Sequence, residues 1–328
     1  MNDMKRNRRT RRLHSGLLLT GAVLAAMASG CSKSSDPTPT GLAAEIQISP
    51  AANDKALFVS PFDAVPSPDG SKVYFTAISK TYGPSVFTAG ADGSNPALLA
   101  SGLVSPFGIT VSDDGATLFI ADAGYETETE EGGMILTLPA TGGTVTPLAG
   151  TEGTKPRGLE VQGDRLYYSG VTGKGKKRLP AVYSVGLAGG QPTMLVSGKP
   201  LKDPSGIAVT KAGEVYVLDT AAASTNHATV FSIKDGVATE FKTDIAVGYP
   251  GGIALSLDDT TLFVSALDDT TARDVVFVVN IASKETTEFT KSIDKFSESA
   301  GLHRARNAGV FAWADGQANK SGTVFVLK

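Results

Sequence analysis

Between residues 45 and 328 the apolar positions alternate in short runs, and the runs recur. A stretch of small and branched residues, such as Gly206-Ile207-Ala208-Val209, is followed by a turn and then by Val215-Tyr216-Val217-Leu218-Asp219. Alternation over four to six residues, bounded by Gly, Asp and Pro, predicts strands rather than helices. The turn between the two runs carries Asp69-Gly70, Asp114-Gly115, Gly163-Asp164, Ala212-Gly213 or Asp258-Asp259. These pairs tolerate the positive φ that tight hairpins require. The second run is rich in Val, Phe and Tyr throughout, as expected of a strand buried on both faces.

The unit starts at Pro61, Pro106, Pro156, Pro204 and Pro250, with a degenerate sixth near Ser299, at steps of 45, 50, 48, 46 and 49 residues. Two further short apolar runs follow each pair. In the fourth copy they are Val230-Phe231-Ser232-Ile233 and Thr239-Glu240-Phe241. Four strands per repeat with no helical period between them predict an all-β fold, a six-bladed β-propeller of four-stranded blades. The last repeat ends at Lys328 after its third strand. Glu45-Ile46-Gln47-Ile48, just upstream of the first repeat, is the strand expected to complete the last blade and remove its open edge. The propeller is expected to span residues 44–328.

The residues before it read differently. Lys5, Arg6, Arg8, Arg9, Arg11 and Arg12 precede an apolar run, Leu17 to Ala28, that is too short to span a bilayer. It ends in Ala28-Ser29-Gly30-Cys31, which resembles a bacterial lipobox. Residues 1–30 are therefore expected to be a lipoprotein signal peptide, with Cys31 the lipidated new N-terminus. The plainer alternative is a secretory signal cut near Ala28. Cys31 is the sole cysteine, so no disulfide is available to the fold. Residues 31–43, polar and proline-containing, read as a flexible tether. Ser32 after the cysteine favours the outer membrane over the inner. Removing the signal leaves 24 Lys and Arg against 32 Asp and Glu, a net charge of −8. That balance argues against nucleic acid as a partner.

The recurring phrases resemble NHL and YVTN repeats and, more distantly, the gluconolactonase-like (senescence-marker) propellers. The resemblance covers 45–328 and implies architecture more than function, because such repeats serve enzymes, binding proteins and scaffolds alike. In the gluconolactonase-like enzymes a divalent cation sits at the channel mouth, held by an acid at the start of the first blade and by Asn and Asp before later glycines. Asp63 matches the first of these places. The later ones hold Phe107, Arg157, Ser205 and Gly251, and Arg157 would repel a cation. The resemblance thus carries over one metal ligand, Asp63, and with it the possibility of calcium and of no other cofactor.

Strand direction alternates within a blade, so the first strands all start on one face, around the axis. Asp63, Phe107, Arg157, Ser205 and His303 are accordingly the candidate ligand-binding residues. His303 lies beside Arg304 and Arg306, which together suit an anion. Asp122 and Asp219 end second strands and are read as carboxylates accepting backbone N–H groups. Trp313 is read as core. Two hairpins on the same face carry opposite charge, Gly124 to Glu131 acidic and Lys174 to Arg178 basic. No Gly-x-Ser-x-Gly elbow, P-loop or His-Glu-x-x-His occurs, so no catalytic residue is assigned. The expected function is a cell-envelope lipoprotein whose propeller binds a protein or glycan partner. The alternative is a calcium-dependent hydrolase, lactonase or lyase acting at the channel mouth. Replacing the lipid acceptor, Cys31→Ser, is expected to move the protein from the membrane to the soluble fraction on cell fractionation; retention in the membrane would refute the anchor.

Overall fold

The computed structural model describes residues 45–50, 56–124, 132–221, 227–245, 251–268, 273–288 and 299–328, all within the compact unit Pro39–Lys328. The expected signal peptide, Cys31, the tether and the acidic stretch 125–131 lie outside the described residues. Six four-stranded antiparallel sheets follow one another in a ring, as the repeats predict. Blade 4 is representative: Pro204–Val209, Val215–Asp219, Ala228–Lys234 and Val237–Ile245 pair in sequence order. Two three-residue 3-10 turns, Gly175–Lys177 and Ala318–Lys320, are the helical segments among the described residues.

The ring closes through the start of the chain. Glu45–Ile48 pairs antiparallel with the last strand, Thr323–Leu327, in the register Glu45↔Leu327 to Ile48↔Val324. Blade 6 thus takes three strands from one end of the chain and one from the other. Six hydrophobic clusters lie between neighbouring blades. The one that seals the seam joins Phe58, Phe75 and Phe87 of blade 1 and its lead-in to Ile48, Val324 and Val326 of blade 6. Trp313 is buried between blades 5 and 6 and stacks on Phe325.

Two repeated devices explain the recurring phrase. The first is the turn after the first strand. Ser67 donates to Asp69, Ser112 to Asp114 and Ser256 to Asp258, at 2.6, 2.5 and 2.6 Å. The Asp carboxylate also accepts the backbone N–H two residues on, which closes the hairpin. Those bonds hold the Asp69 carboxyl down at about 2. The second device is the acid ending the second strand. Asp122 accepts from Val104 N, Ser105 N and Gly124 N. Asp219 accepts from Lys202 N, Asp203 N and Ala221 N. Each buried carboxylate therefore fastens both its own turn and the link that brings the chain into the blade, so the backbone reading of these acids holds.

The glycine of the phrase has a steric cause. First strands crowd at the axis, and a side chain there would meet the backbone of the next blade. A Cβ on Gly108 would overlap Arg157 O, one on Gly158 would overlap Ser205 O, and one on Gly252 would overlap the Gly301 carbonyl carbon. Gly252→Ala is expected to destabilise the fold by about 1–3 kcal/mol or more, as overpacking against immobile backbone does. Gly309→Ala, with nothing within 4 Å, is expected to stay within about 0.5 kcal/mol. Denaturant unfolding of both variants checks the contrast, and equal effects would remove the steric account.

Candidate functional site at the channel mouth

All five residues singled out from the repeats, Asp63, Phe107, Arg157, Ser205 and His303, line one cavity at the axis. About 40 Å3 of it is open to the centres of water-sized molecules, room for roughly three waters. The walls between the polar groups are apolar, with Leu159, Ile207, Ile253 and Leu302 contributing.

Four of the five are engaged within the fold. Asp63 stands where the later blades have glycine, and its carboxylate takes up the corresponding inter-blade space. Oδ1 accepts from Ala64 N at 2.8 Å, and Oδ2 accepts from Ile109 N of blade 2 at 2.9 Å. Oδ2 also lies 3.1 Å from His303 Nε2 of blade 6. Gly301 (φ +70°) leaves room for that carboxylate, because a Cβ there would overlap it. The Ser205 hydroxyl lies 2.9 Å from Gly251 O of blade 5 and 3.2 Å from Leu218 O. Ser169 and Ser265 stitch their blades to the next in the same way, through Ser205 O and Gly301 O. Arg157 forms an ion pair with Asp203. Phe107 is the one that offers apolar surface, at 36 % exposure.

Below the mouth the channel is crossed by a line of alternating charge. His303 Nδ1 lies 3.7 Å from Glu160 Oε2, an ion-pair distance and too long for a hydrogen bond. Glu160 Oε1 is 3.1 Å from an Arg306 terminal nitrogen, and Arg306 Nε is 2.7 Å from Asp113 Oδ1. Arg306 also donates to Gln162 Oε1 at 3.2 Å. Blades 3 and 6 face each other in a six-membered ring, so Glu160 bridges the axis to His303 and Arg306. The anion that His303 and Arg306 were expected to suit is thus supplied by the chain itself. Glu160, Asp113 and Gln162 were missed from the sequence, although a signal was present. Two residues after the glycine the six repeats read Val65, Thr110, Glu160, Ala208, Ala254 and His303. The two ionisable members of that column stand three repeats apart, which is across the axis.

Burial alone would push the His303 pKa down. The charge and hydrogen bond of Asp63, helped by Glu160, outweigh it and push the pKa up to about 10. Burial likewise opposes the charge on Glu160, and Arg306, then His303, hold its carboxyl below the ordinary range. At neutral pH His303 is therefore an imidazolium. In that state both ring nitrogens carry protons, which suits a ring set between the Asp63 and Glu160 carboxylates. Among the described residues no group of three or more His, Cys, Asp or Glu side chains is placed to hold a metal ion. His227 is half-buried at the lead-in to the third strand of blade 4 and is not part of the cavity wall.

The raised pKa has a stability consequence. A His whose folded pKa lies above its unfolded value of about 6.5 contributes stability that is fully present below that value and fades as pH rises through the folded pKa. His303→Gln leaves Asp63 without its cation and Glu160 with Arg306 alone, and is expected to cost about 3–5 kcal/mol near pH 6. The difference from wild type should shrink between pH 6.5 and 10. Denaturant unfolding at pH 6, 8 and 10 reads it, and a difference constant across that window would exclude a charged His303.

No family model matches the chain, and no curated protein matches it. Solved structures do share its fold. A nidogen/laminin complex aligns at 18 % identity over 72 % of this chain and 83 % of that one, with a TM-score of 0.55. TolB from Acinetobacter baumannii aligns at 12 % identity over 74 % and 57 %, with a TM-score of 0.52. Hydrazine synthase from Kuenenia stuttgartiensis aligns at 13 % identity over 79 % and 78 %, with a TM-score of 0.54. At such identities the likeness shows the fold alone: an all-β, six-bladed propeller.

Proposed function

We propose that the protein is an NHL/YVTN-like lipoprotein of the bacterial cell envelope, held to the outer membrane through Cys31, whose propeller docks a protein or glycan partner on the face where its first strands start. The observation that carries this reading is the placing of exposed apolar side chains. Tyr82 (61 % exposed), Val104 (54 %), Leu179 (48 %) and Phe107 lie on links and hairpins of that face, with Leu57 beside them in sequence order before blade 1. Isolated exposed apolar residues are ordinary, and Met194, Val237 and Leu257 stand exposed on the opposite face; the five on this face are the larger set among the described residues and mark it as the place for contact. The polar groups of the mouth favour the same conclusion. Asp63, Ser205 and His303 are occupied by neighbouring blades, which leaves them structural work rather than chemistry. The nidogen structure is of a complex with laminin, in keeping with partner binding by this fold.

A photo-reactive residue at Phe107 or Tyr82 is expected to trap a partner in the native envelope, while one at Val237 or Leu257, exposed on the opposite face, is expected not to. Capture from neither face, or equally from both, would overturn the reading. Millimolar calcium is expected to leave the unfolding temperature unchanged. A rise reversed by chelator would instead favour the calcium-dependent hydrolase, lactonase or lyase, because a ligand of the folded state must stabilise it.

A further inference from the structure

The hairpins that join third to fourth strands lie on the face opposite the mouth, and several lean on a neighbour. Gly143 N of blade 2 donates to Leu99 O of blade 1 at 3.3 Å, and Gly190 N of blade 3 donates to Ala149 O of blade 2 at 2.9 Å. Lys242 Nζ of blade 4 donates to Lys284 O in the hairpin of blade 5 at 3.1 Å. Blade 4 itself turns in two residues, Asp235 and Gly236, both at positive φ, with Lys234 paired to Val237. So tight a turn stops short of blade 3, and a cleft of about 820 Å3 stays open between the two blades. Its floor is apolar, formed by Tyr167, Leu195, Val215 and Ile233. Arg165 and Lys234 against Glu214 and Asp235 leave its walls without net charge. Exposed Met194 lines it, and exposed Val237 follows directly on its edge at Gly236. Lys211, next to Ala212 of the cleft wall, donates through Nζ to Leu257 O at 2.6 Å. Leu257 is itself exposed and carries the apolar surface on into blade 5.

The first strand of the chain begins on this same face. Thr323 pairs with Asp315, at the mouth end of its strand, so Thr323–Leu327 runs away from the mouth. Glu45 pairs with Leu327 and therefore stands at the opposite face. We propose that this face lies against a phospholipid bilayer, with Met194, Val237 and Leu257 seated among the headgroups. The proposal rests on the anchor at Cys31, and it says which way the anchored molecule looks. The tether, residues 31–44, is 14 residues long. A flexible coil of that length spans roughly 20 Å, so the lipid keeps the face that carries Glu45 nearest the membrane. Turning the mouth to the bilayer would require the tether to be drawn up along the outer side of blade 6. The neutral cleft walls fit a seat made by apolar insertion rather than by attraction to anionic lipid. The mouth face, with Phe107 and Tyr82, is then presented to a partner on the side away from the membrane.

The test uses the lipidated mature chain in vesicles of phosphatidylethanolamine and phosphatidylglycerol. Val237→Cys, Leu257→Cys, Tyr82→Cys and Val104→Cys, made one at a time, each carry an environment-sensitive fluorophore. Cys31 is the sole cysteine of the chain, so once acylated it leaves no competing thiol. Labels at 237 and 257 are expected to shift to shorter wavelength and to lose about half of their emission or more to nitroxide-bearing lipid, as groups at the headgroup boundary do. Labels at 82 and 104 are expected to keep theirs. The quenching should persist at about 0.5 M salt, where screened charge contacts fade. Met194→Ser with Val237→Ser, both at exposed positions, should cut the quenching at Leu257→Cys by about twofold or more, because less apolar surface is left to insert. Equal quenching on both faces, or quenching at 82 and 104 instead, would overturn the proposal, and so would its loss in salt. Self-quenching between labelled copies in place of quenching by lipid would make the patch a contact between copies and overturn it too. Flotation of the vesicles separates the two readings. A chain that floats yet shows no lipid quenching at 237 and 257 keeps its anchor and loses this seat, whereas a chain that fails to float loses both.

Discussion

Six sheets can share an axis only if the strands nearest it approach backbone to backbone. Everything inward of the second strands follows from that crowding. The glycines at 108, 158, 206 and 252 are places where the next blade's main chain occupies the volume of a side chain. Where blade 1 carries Asp63 instead, the volume is filled by a carboxylate that binds Ile109 N on one side and His303 on the other. Gly301 is what makes room for it. At the axis both seams of blade 1 are therefore held by this carboxylate, where the seams from blade 2 to blade 6 are held by close packing of backbone.

The same crowding determines what the channel can do. Glu160 reaches across it to His303 and Arg306, and Arg306 continues to Asp113. Buried charges are tolerated because each faces an opposite one, and removing His303 would leave Asp63 an uncompensated charge in a site of low dielectric. A centre so fully paired is suited to fixing the relative positions of blades 1, 2, 3 and 6. Exposed apolar surface is left to the rim, where Phe107, Tyr82 and Leu179 stand and where Arg157 joins the axial mouth to the cleft between blades 3 and 4.

Much of this was legible in the sequence, for physical reasons that differ by residue. The Asp-Gly turns were readable because a short hairpin has few chemical solutions. Asp122 and Asp219 were readable because an acid after an apolar strand has backbone N–H groups to find. The gathering of Asp63, Phe107, Arg157, Ser205 and His303 followed from the repeat, since all five lie in or just before the first strands of their blades, within two residues of the repeat's glycine position, and first strands meet at the centre of the ring. Contacts across the ring were not readable from any one repeat. Glu160 and His303 are 143 positions apart and share only a column, so their pairing depends on the number of blades and on facing order. Edges were also poorly marked: the fourth strand of blade 2 shrinks to Thr146–Pro147, because proline cannot donate to the ladder.

The closing strand has a consequence for the order in which the molecule is made. Glu45 meets Leu327, so the first of the described strands to be synthesised finds its partner only when the last of them has been produced. Its pairing closes the longest loop in the fold and bears the largest entropic penalty of any contact in it. Until it forms, five blades can be complete while the sixth shows a bare third strand, the kind of edge on which chains of this type aggregate. Four residues, Glu45–Ile48, thus act as a clasp: assembly from the N-terminus leaves them waiting, and a chain trimmed beyond Ile48 retains every repeat yet loses its closure.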